Sequence, residues 1–180
     1  MGVFLEITGE KPLTINFLSN PVYLFCGFMA LFDEYGVQYC VIGGQAVNAY
    51  VEPLVSLDLD VVIAAEQLAE VEALLEREFG VKRFPHRLNI SAAGSDLRVQ
   101  IQTDARYADF PARAEVHTTL GRPLRVAALT DVLQGKLWAA QDSARWGSQR
   151  QKDLADIARL IEAYPYLRER VPADLLDRLM

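Results

Sequence analysis

Two short stretches of the chain combine residue types that could do chemistry together. Gly43 and Gly44 end a short apolar run, and Asp58 and Asp60 follow further along, separated by one leucine. Two glycines between a strand and a helix let the backbone approach a ligand, and the helix N-terminus offers free N–H groups to a phosphate. Carboxylates at i and i+2 of a strand share one face, where their oxygens suit a Mg²⁺ ion that bridges nucleotide phosphates.

A simpler explanation exists for each half of this pattern. A Gly-Gly turn is common between two elements, and two acids on a strand face are common at a surface. The two halves in this order, with Val61 to Ile63 continuing a buried strand, favour a catalytic site.

The arrangement resembles the nucleotidyltransferase (polymerase-beta-like) superfamily, in which Gly-Gly or Gly-Ser opens a helix and Asp-x-Asp lies on the next strand. In particular it is similar to the minimal AbiEii-type nucleotidyltransferases of toxin–antitoxin systems, whose helical tail carries Lys and Lys-Asp elements. The resemblance spans Val41 to Glu162. Its motif positions in this chain are Gly43-Gly44-Gln45-Ala46, Ser56-Leu57-Asp58-Leu59-Asp60, Lys136, and Lys152-Asp153 within Arg145 to Asp156.

The resemblance implies a role for each motif position. Asp58 and Asp60 are expected to ligate the metal, and Gly43 and Gly44 are expected to hold the triphosphate. The further candidates for contacts with the nucleotide are Gln45, Ser56 and Arg145.

The helical tail supplies the remaining candidates. By the resemblance, Lys136 and Lys152 neutralise phosphate charge, while Asp153 is either a further acid of the site or a residue that caps and pairs locally. Lys152 and Asp156 stand at i and i+4, so they could equally form a pair on a helix surface. The strongest basic patch in the sequence consists of Arg145, Arg150 and Lys152. It could receive an RNA backbone or the triphosphate, or be a solvated face.

The chain departs from the family pattern at two places. Leu54 stands where members commonly have a basic residue. The third carboxylate of the superfamily, on a later strand, has no counterpart among the polar positions Arg98, Gln100 and Gln102. Asp96 and Asp104 flank this strand and either could substitute, although Asp104 is also a natural turn residue.

Composition narrows the function classes. The chain has 180 residues, 51% hydrophobic and 23% charged, which suits one globular domain, or one compact domain with a small appendage. Its net charge of −6 excludes broad coating of DNA, so any contact with nucleic acid must be local.

Cys26 and Cys40 are expected to be buried thiols in a reducing cytoplasm. The longest apolar run, Val22 to Phe32, is too short to span a membrane. No P-loop or nucleophile-elbow motif is present.

The periodicities predict an α+β fold, a small mixed β-sheet with helices. Residues 1–127 are expected to form the core with an N-terminal helix, and residues 128–180 are expected to form a helical portion that closes the cleft.

The predicted helix from Pro21 to Tyr35 is apolar nearly all round, so it is either central or docked onto a partner. Residues 1–20 suggest a loose or strand-like leader, and Thr130 is the expected cap of the first tail helix. The predicted strands are Gln38 to Ile42, Leu57 to Ile63, Val81 to Phe84, Arg87 to Ser91, Leu97 to Gln102, Glu115 to Leu120 and Leu124 to Val126, with a turn at Ala93-Gly94-Ser95.

The resemblance implies a cytoplasmic, Mg²⁺-dependent nucleotidyltransferase that moves a nucleoside monophosphate from a nucleoside triphosphate to an acceptor. The acceptor would be an RNA end, such as a tRNA 3′ terminus, or a protein hydroxyl, and the protein would be a toxin with an antitoxin partner. The alternative is an inactive nucleotide-binding or partner-binding module of the same fold, in which the apolar helix Val22 to Phe32 serves a homo-oligomer or an antitoxin. A third hypothesis is an α+β protein whose acid pair is a surface accident and which binds no nucleotide.

Overall fold

Seven β-strands form one mixed sheet that carries the acid pair near its centre, in the order β3-β4-β5-β2-β1-β7-β6. The computed structural model describes residues 21–56, 58–91, 98–119 and 121–179. The strands are β1 (Tyr39–Ile42), β2 (Asp58–Ile63), β3 (Gly80–Phe84), β4 (Arg87–Ser91), β5 (Arg98–Gln102), β6 (Glu115–Thr119) and β7 (Arg122–Val126). The α-helices are α1 (Pro21–Glu34), α2 (Gly43–Tyr50), α3 (Leu68–Glu78), α4 (Leu129–Gln141), α5 (Gly147–Ala163) and α6 (Ala173–Leu176).

The sheet confirms the predicted α+β class and the predicted mixed sheet. Strand β2 runs antiparallel to β1 and parallel to β5, and β1 runs parallel to β7. The hairpins β3–β4 and β6–β7 extend the sheet at its two edges. This order places the two acids of β2 between the glycine turn that follows β1 and the polar side chains of β5.

Alternating apolar residues fix which face of the sheet packs inward. Leu88, Ile90, Val99 and Ile101 on β4 and β5 are buried, and the residues between them are partly or fully exposed. Since side chains alternate along a strand, burial of this set turns Asn89, Arg98, Gln100 and Gln102 to the opposite face. Packing of the core therefore fixes the orientation of the polar face.

Helix α1 packs its large described side chains into the protein's own core. Phe28, Met29 and Phe32 are fully or almost fully buried, and the rings of Phe28 and Phe32 lie 4.4 Å apart between centroids. Gly27 and Ala30 face outward. The described large side chains of α1 thus pack as those of a central helix would, and the side chains of residues 21–24 and 26 are not among those described.

The structure tests some of the local predictions, whereas others lie outside the described residues. Thr130 is not the cap of α4, because the helix begins at Leu129 and the carbonyl of Ala128 accepts the N–H of Val132. The predicted leader, residues 1–20, and the predicted turn at residues 93–95 lie outside the described residues. Cys40 is a buried free thiol as predicted, and burial raises its pKa to about 12, whereas the side chain of Cys26 is not among those described.

Among the described residues, no helix is both long and apolar enough to cross a membrane.

Candidate active site

A cleft of about 570 Å³ lies between the polar face of the sheet and helices α4 and α5. The glycine turn, both acids of β2, the polar side chains of β4 and β5, and charged side chains of the two helices line it. The cleft therefore brings together residues from both predicted portions of the chain, 1–127 and 128–180.

Gly43 must be glycine because the backbone turns sharply against the acid of β2. Its φ is +68°, a conformation that costs L side chains about 1–2 kcal/mol. A Cβ atom at Gly43 would lie 2.2 Å from Oδ2 of Asp60. Ile42 pairs with Asp60 across β1 and β2, which holds the turn and the carboxylate in this register. The contact between backbone and carboxylate is thus built into the sheet.

We expect Gly43→Ala to lower the unfolding temperature by several degrees and to displace the Asp60 carboxylate. The strain of about 1–2 kcal/mol corresponds to ~2–8 °C in a domain of this size. Gly44→Ala is the matched control, since a Cβ there would meet Ser56 Oγ at 3.4 Å, an ordinary contact. Circular dichroism melting of both variants tests this, and equal midpoints would contradict the assigned backbone geometry.

Asp58 and Asp60 lie on the same face of β2, and both are partly buried. Burial raises the pKa of Asp60 to about 6; the nearby cations Lys136 and Arg145 lower it and the Asp58 carboxylate raises it further. Arg98 Nε lies 2.8 Å from Asp58 Oδ1 in an ion pair. Arg98 is therefore the partner of the Asp58 carboxylate among the described residues.

The acid pair fits a single divalent cation. Two carboxylates share one face of β2, and burial raises the pKa of Asp60, so a bound cation would stabilise the ionised form of both acids. Within the described ranges, no group of three His, Cys, Asp or Glu side chains could hold a metal ion. The remaining ligands of such a cation would therefore have to come from phosphate and water.

The raised pKa of Asp60 predicts a pH-dependent stability in metal-free buffer. Between its ordinary value of 3.8 and about 6, the folded protein binds more protons at Asp60 than the unfolded chain does. Stability contributed by this residue therefore falls as the pH rises through that interval. We expect Asp60→Asn, which mimics the protonated acid, to be increasingly more stable than wild type from about pH 4 to about pH 7. Urea unfolding with a chelator measures this, and a constant difference would contradict it.

Strand β5 offers no acid to the cleft. Asp58 pairs with Arg98 and Asp60 pairs with Gln100 in the parallel register of β2 and β5. Asp104 is the cap of a 3₁₀ turn, and its two carboxylate oxygens accept hydrogen bonds from Arg106. These hydrogen bonds lower the pKa of the Asp104 carboxyl. Asp96 lies outside the described residues.

A charged network joins α4 to α5 along the cleft. Lys136 Nζ lies 3.0 Å from Asp153 Oδ1 and 2.7 Å from Asp156 Oδ2. The Lys136 and Asp153 side chains are only 10% and 5% exposed. Burial lowers the pKa of Lys136, but Asp153 and Asp156 outweigh it and leave the pKa raised. Arg145 pairs with Asp153, and Arg159 pairs with Asp156.

The two lysines of the helical tail, Lys136 and Lys152, have different surroundings. Lys136 forms ion pairs with two carboxylates, those of Asp153 and Asp156. Lys152 is exposed, lines the cleft, and has no ion-pair partner among the described residues. The surface pair of Lys152 with Asp156 does not form, because Asp156 binds Lys136 and Arg159 instead. Lys152 thus keeps its charge available for a ligand.

Gln45 and Ser56 brace the glycine turn. The Gln45 amide is buried and donates to the carbonyl of Ser56 at 2.9 Å. Ser56 lines the cleft, and Gln45 does not. Both residues hold α2 against the chain that enters β2, which positions Gly43 and Gly44.

Sequence reasoning gave no role to Arg87, Arg98 and Arg159, which also line the cleft. Arg159 reaches from α5 to Asn48 and to the carbonyl of Glu52, so it ties α5 to the segment after α2. The alternation of polar residues in β4 and β5 was the only signal in the sequence for Arg87 and Arg98.

The fold of this chain is similar to the folds of solved nucleotidyltransferase structures. The antibiotic-resistance factor ANT(2'')-Ia, in complex with adenylyl-2''-tobramycin, has a TM-score of 0.63 and 17% identity over 88% of this chain and 98% of that chain. A nucleotidyltransferase-like protein from Paracoccidioides brasiliensis has a TM-score of 0.53 and 16% identity over 94% of each chain. The lincosamide antibiotic adenylyltransferase LnuA, bound to lincomycin, has a TM-score of 0.52 and 13% identity over 76% of this chain and 95% of that chain. No protein-family model and no curated protein matches the sequence.

Proposed function

We propose that the protein is a Mg²⁺-dependent nucleotidyltransferase that moves a nucleoside monophosphate from a nucleoside triphosphate to an acceptor hydroxyl. The observation that carries the proposal is the packing of the Asp60 carboxylate against Gly43, with Asp58 beside it on the floor of the cleft. A helix N-terminus that can hold phosphate and two acids that can hold a metal ion are the groups that binding of a metal-bridged triphosphate would require, and this supports the proposal.

Each group of the cleft has a defined part in this reaction. The backbone N–H groups at the start of α2 hold phosphate oxygens, and Lys152 and Arg145 contribute positive charge from α5 and the segment before it. Asp58 and Asp60 would hold Mg²⁺, which when bound supplies positive charge to the triphosphate. The acceptor oxygen bonds to the α-phosphorus, pyrophosphate leaves with the electrons of the broken bond, and the hydroxyl proton passes to water.

The network of Lys136, Asp153 and Asp156 holds α4 and α5 in place over the cleft. We propose that residues 128–180 act as the closing portion that the sequence predicted, with Lys136 and Arg145 lowering the pKa of Asp60 from that side. Lys136 therefore has two effects. Its positive charge lowers the pKa of Asp60, and its ion pairs with Asp153 and Asp156 hold α4 and α5 together.

The acceptor proposed from the AbiEii-type resemblance is an RNA end or a protein hydroxyl. ANT(2'')-Ia and LnuA are described with tobramycin and lincomycin. Tobramycin is a polyamine, so an equivalent acceptor here would need carboxylates around it. Strands β4 and β5 contain no acid, and Arg87 and Arg98 line that side of the cleft. The β4 and β5 side of the cleft thus offers no carboxylate to a cationic acceptor, and the acids that line the cleft lie on β2, α4 and α5.

The alternative is a module that binds nucleotide without transferring it. One observation favours it: Gln100 stands beside Asp60, and Arg98 pairs with Asp58, where a third acid would be expected on β5. A toxin role in the cytoplasm with an antitoxin partner rests on the resemblance alone, and the described large side chains of α1 are already covered by the core.

Incubation with each α-labelled nucleoside triphosphate, Mg²⁺ and total cellular RNA and protein tests the proposal. Transfer of label that disappears with a chelator supports the transferase, and the labelled band identifies the acceptor. Stabilisation by nucleotide without transfer to any acceptor supports the binding module. A nucleotide at ~100 times its dissociation constant should add about 2.7 kcal/mol of stability, so binding is measurable by melting.

A further inference from the structure

The polar face of β5, β4 and β3 forms a continuous surface that starts at the acid pair. In the sheet register Asp60 pairs with Gln100, Gln100 pairs with Asn89, and Asn89 pairs with Lys82. Directly paired residues point to the same face, and neighbouring strands are ~4.8 Å apart. This row therefore leads from Asp60 to an exposed lysine at the sheet edge, about 14 Å away. We call Gln100, Asn89 and Lys82, with Arg87 and Phe84 beside them, the acceptor face.

The acceptor face carries positive charge and no carboxylate. Strands β3, β4 and β5 contain no Asp or Glu. The charged groups of Lys82 and Arg87 lie 5.2 Å and 4.9 Å from the centroid of the Phe84 ring, which holds the two cations side by side. Both are exposed, and neither has an ion-pair partner in the part of the chain that the structure describes. They are available for an anionic partner.

Amide groups between the acids and the cations need a partner as well. Asn89 Oδ1 is buried and has no hydrogen-bond donor among the described residues, although Asn89 lines the cleft. The side-chain carbonyl oxygen of Gln102 accepts the N–H groups of Thr103 and Asp104, and its amide N–H groups have no acceptor among the described residues. A buried acceptor and free donors on one face suit a partner whose hydrogen-bonding edge carries both kinds of group.

We propose that the acceptor face binds single-stranded RNA whose terminal hydroxyl reaches the acid pair, an inference that rests on the proposed function. Bases offer the mixed donor and acceptor edges that Asn89, Gln100 and Gln102 require, and phosphates fit Lys82 and Arg87. A single strand is required because the terminal hydroxyl must enter the cleft between the sheet and α4 and α5. A protein acceptor supplies neither a regular row of anions nor base edges, so the face favours RNA.

Fluorescence anisotropy with a 5′-labelled, unstructured oligoribonucleotide tests the acceptor face separately from catalysis. We expect Lys82→Gln with Arg87→Gln to weaken binding several-fold and to reduce the slope of log K against log salt by about 1.4, since each phosphate contact of a single strand contributes ~0.7. Both side chains are exposed, so the variant should fold, which melting confirms. The matched control is Arg168→Gln with Arg170→Gln, which removes the same charge from exposed positions outside the cleft and should bind as wild type does.

The outcomes separate this inference from the proposed function. Asp58→Asn with Asp60→Asn should bind the oligoribonucleotide at least as tightly as wild type, because two negative charges are removed beside the strand. RNA binding that depends on Lys82 and Arg87, without transfer of nucleotide, would support the acceptor face and refute the transferase. Unchanged binding by the Lys82/Arg87 variant, or transfer of label to protein rather than RNA, would overturn the acceptor face.

Discussion

Replacing Asp58 and Asp60 together by asparagine should reduce nucleotidyl transfer by at least about 10³-fold, because loss of one preorganised electrostatic group already costs ~10²–10³-fold. Asparagine keeps the shape of each side chain and removes both charges. The fold should be unchanged or more stable, since burial and the neighbouring acid disfavour the charge on Asp60 and raise its pKa. Transfer assays and melting on the same preparation measure both effects.

A matched variant removes the same charge elsewhere. Asp174 and Asp177 on and after α6 are exposed and lie outside the cleft, so Asp174→Asn with Asp177→Asn should keep full activity. If the Asp58/Asp60 variant fails to fold, the two acids are structural and the site hypothesis is wrong. If it folds and still transfers nucleotide at the wild-type rate, the acid pair does not act in catalysis.

The local part of this site could be predicted from the sequence. Alternation along β2 placed Asp58 and Asp60 on one face, because the strand period of two is a property of the backbone. The Gly-Gly pair indicated a close backbone approach, and the structure shows which atom requires it, Oδ2 of Asp60. Neither prediction needed to know how distant parts of the chain meet.

The non-local contacts could not be predicted in the same way. The ion pair of Arg98 with Asp58 depends on the parallel register of β5 against β2, which is set by burial of Val99 and Ile101 on the other face. Spacing on α5 suggested a pair of Lys152 with Asp156, and the pair that forms instead crosses from α4 to α5. Contacts between elements depend on packing geometry, which no local pattern contains.

Removal of the Lys136 charge should have the largest effect on stability. Lys136→Met keeps most of the side chain's apolar volume but leaves the buried Asp153 and the adjacent Asp156 without their shared cation. Breaking a buried ion pair typically costs ~3–5 kcal/mol, and we expect about 3 kcal/mol here because Arg145 and Arg159 still contact the two acids. That corresponds to a decrease of ~6–12 °C in the unfolding temperature.

Neutralising the acids in the same variant distinguishes charge imbalance from lost packing. Lys136→Met combined with Asp153→Asn and Asp156→Asn leaves no buried carboxylate without a cation, and Arg159 keeps Asn48 and the carbonyl of Glu52 as hydrogen-bond partners, so part of the lost stability should return. The triple variant should still transfer nucleotide more slowly than wild type, since the Lys136 charge that lowers the pKa of Asp60 is missing.

Urea unfolding gives the stability of each variant. If Lys136→Met unfolds at the wild-type denaturant concentration, its ion pairs with Asp153 and Asp156 do not stabilise the fold. If the triple variant stays as unstable as Lys136→Met, the loss comes from packing rather than charge.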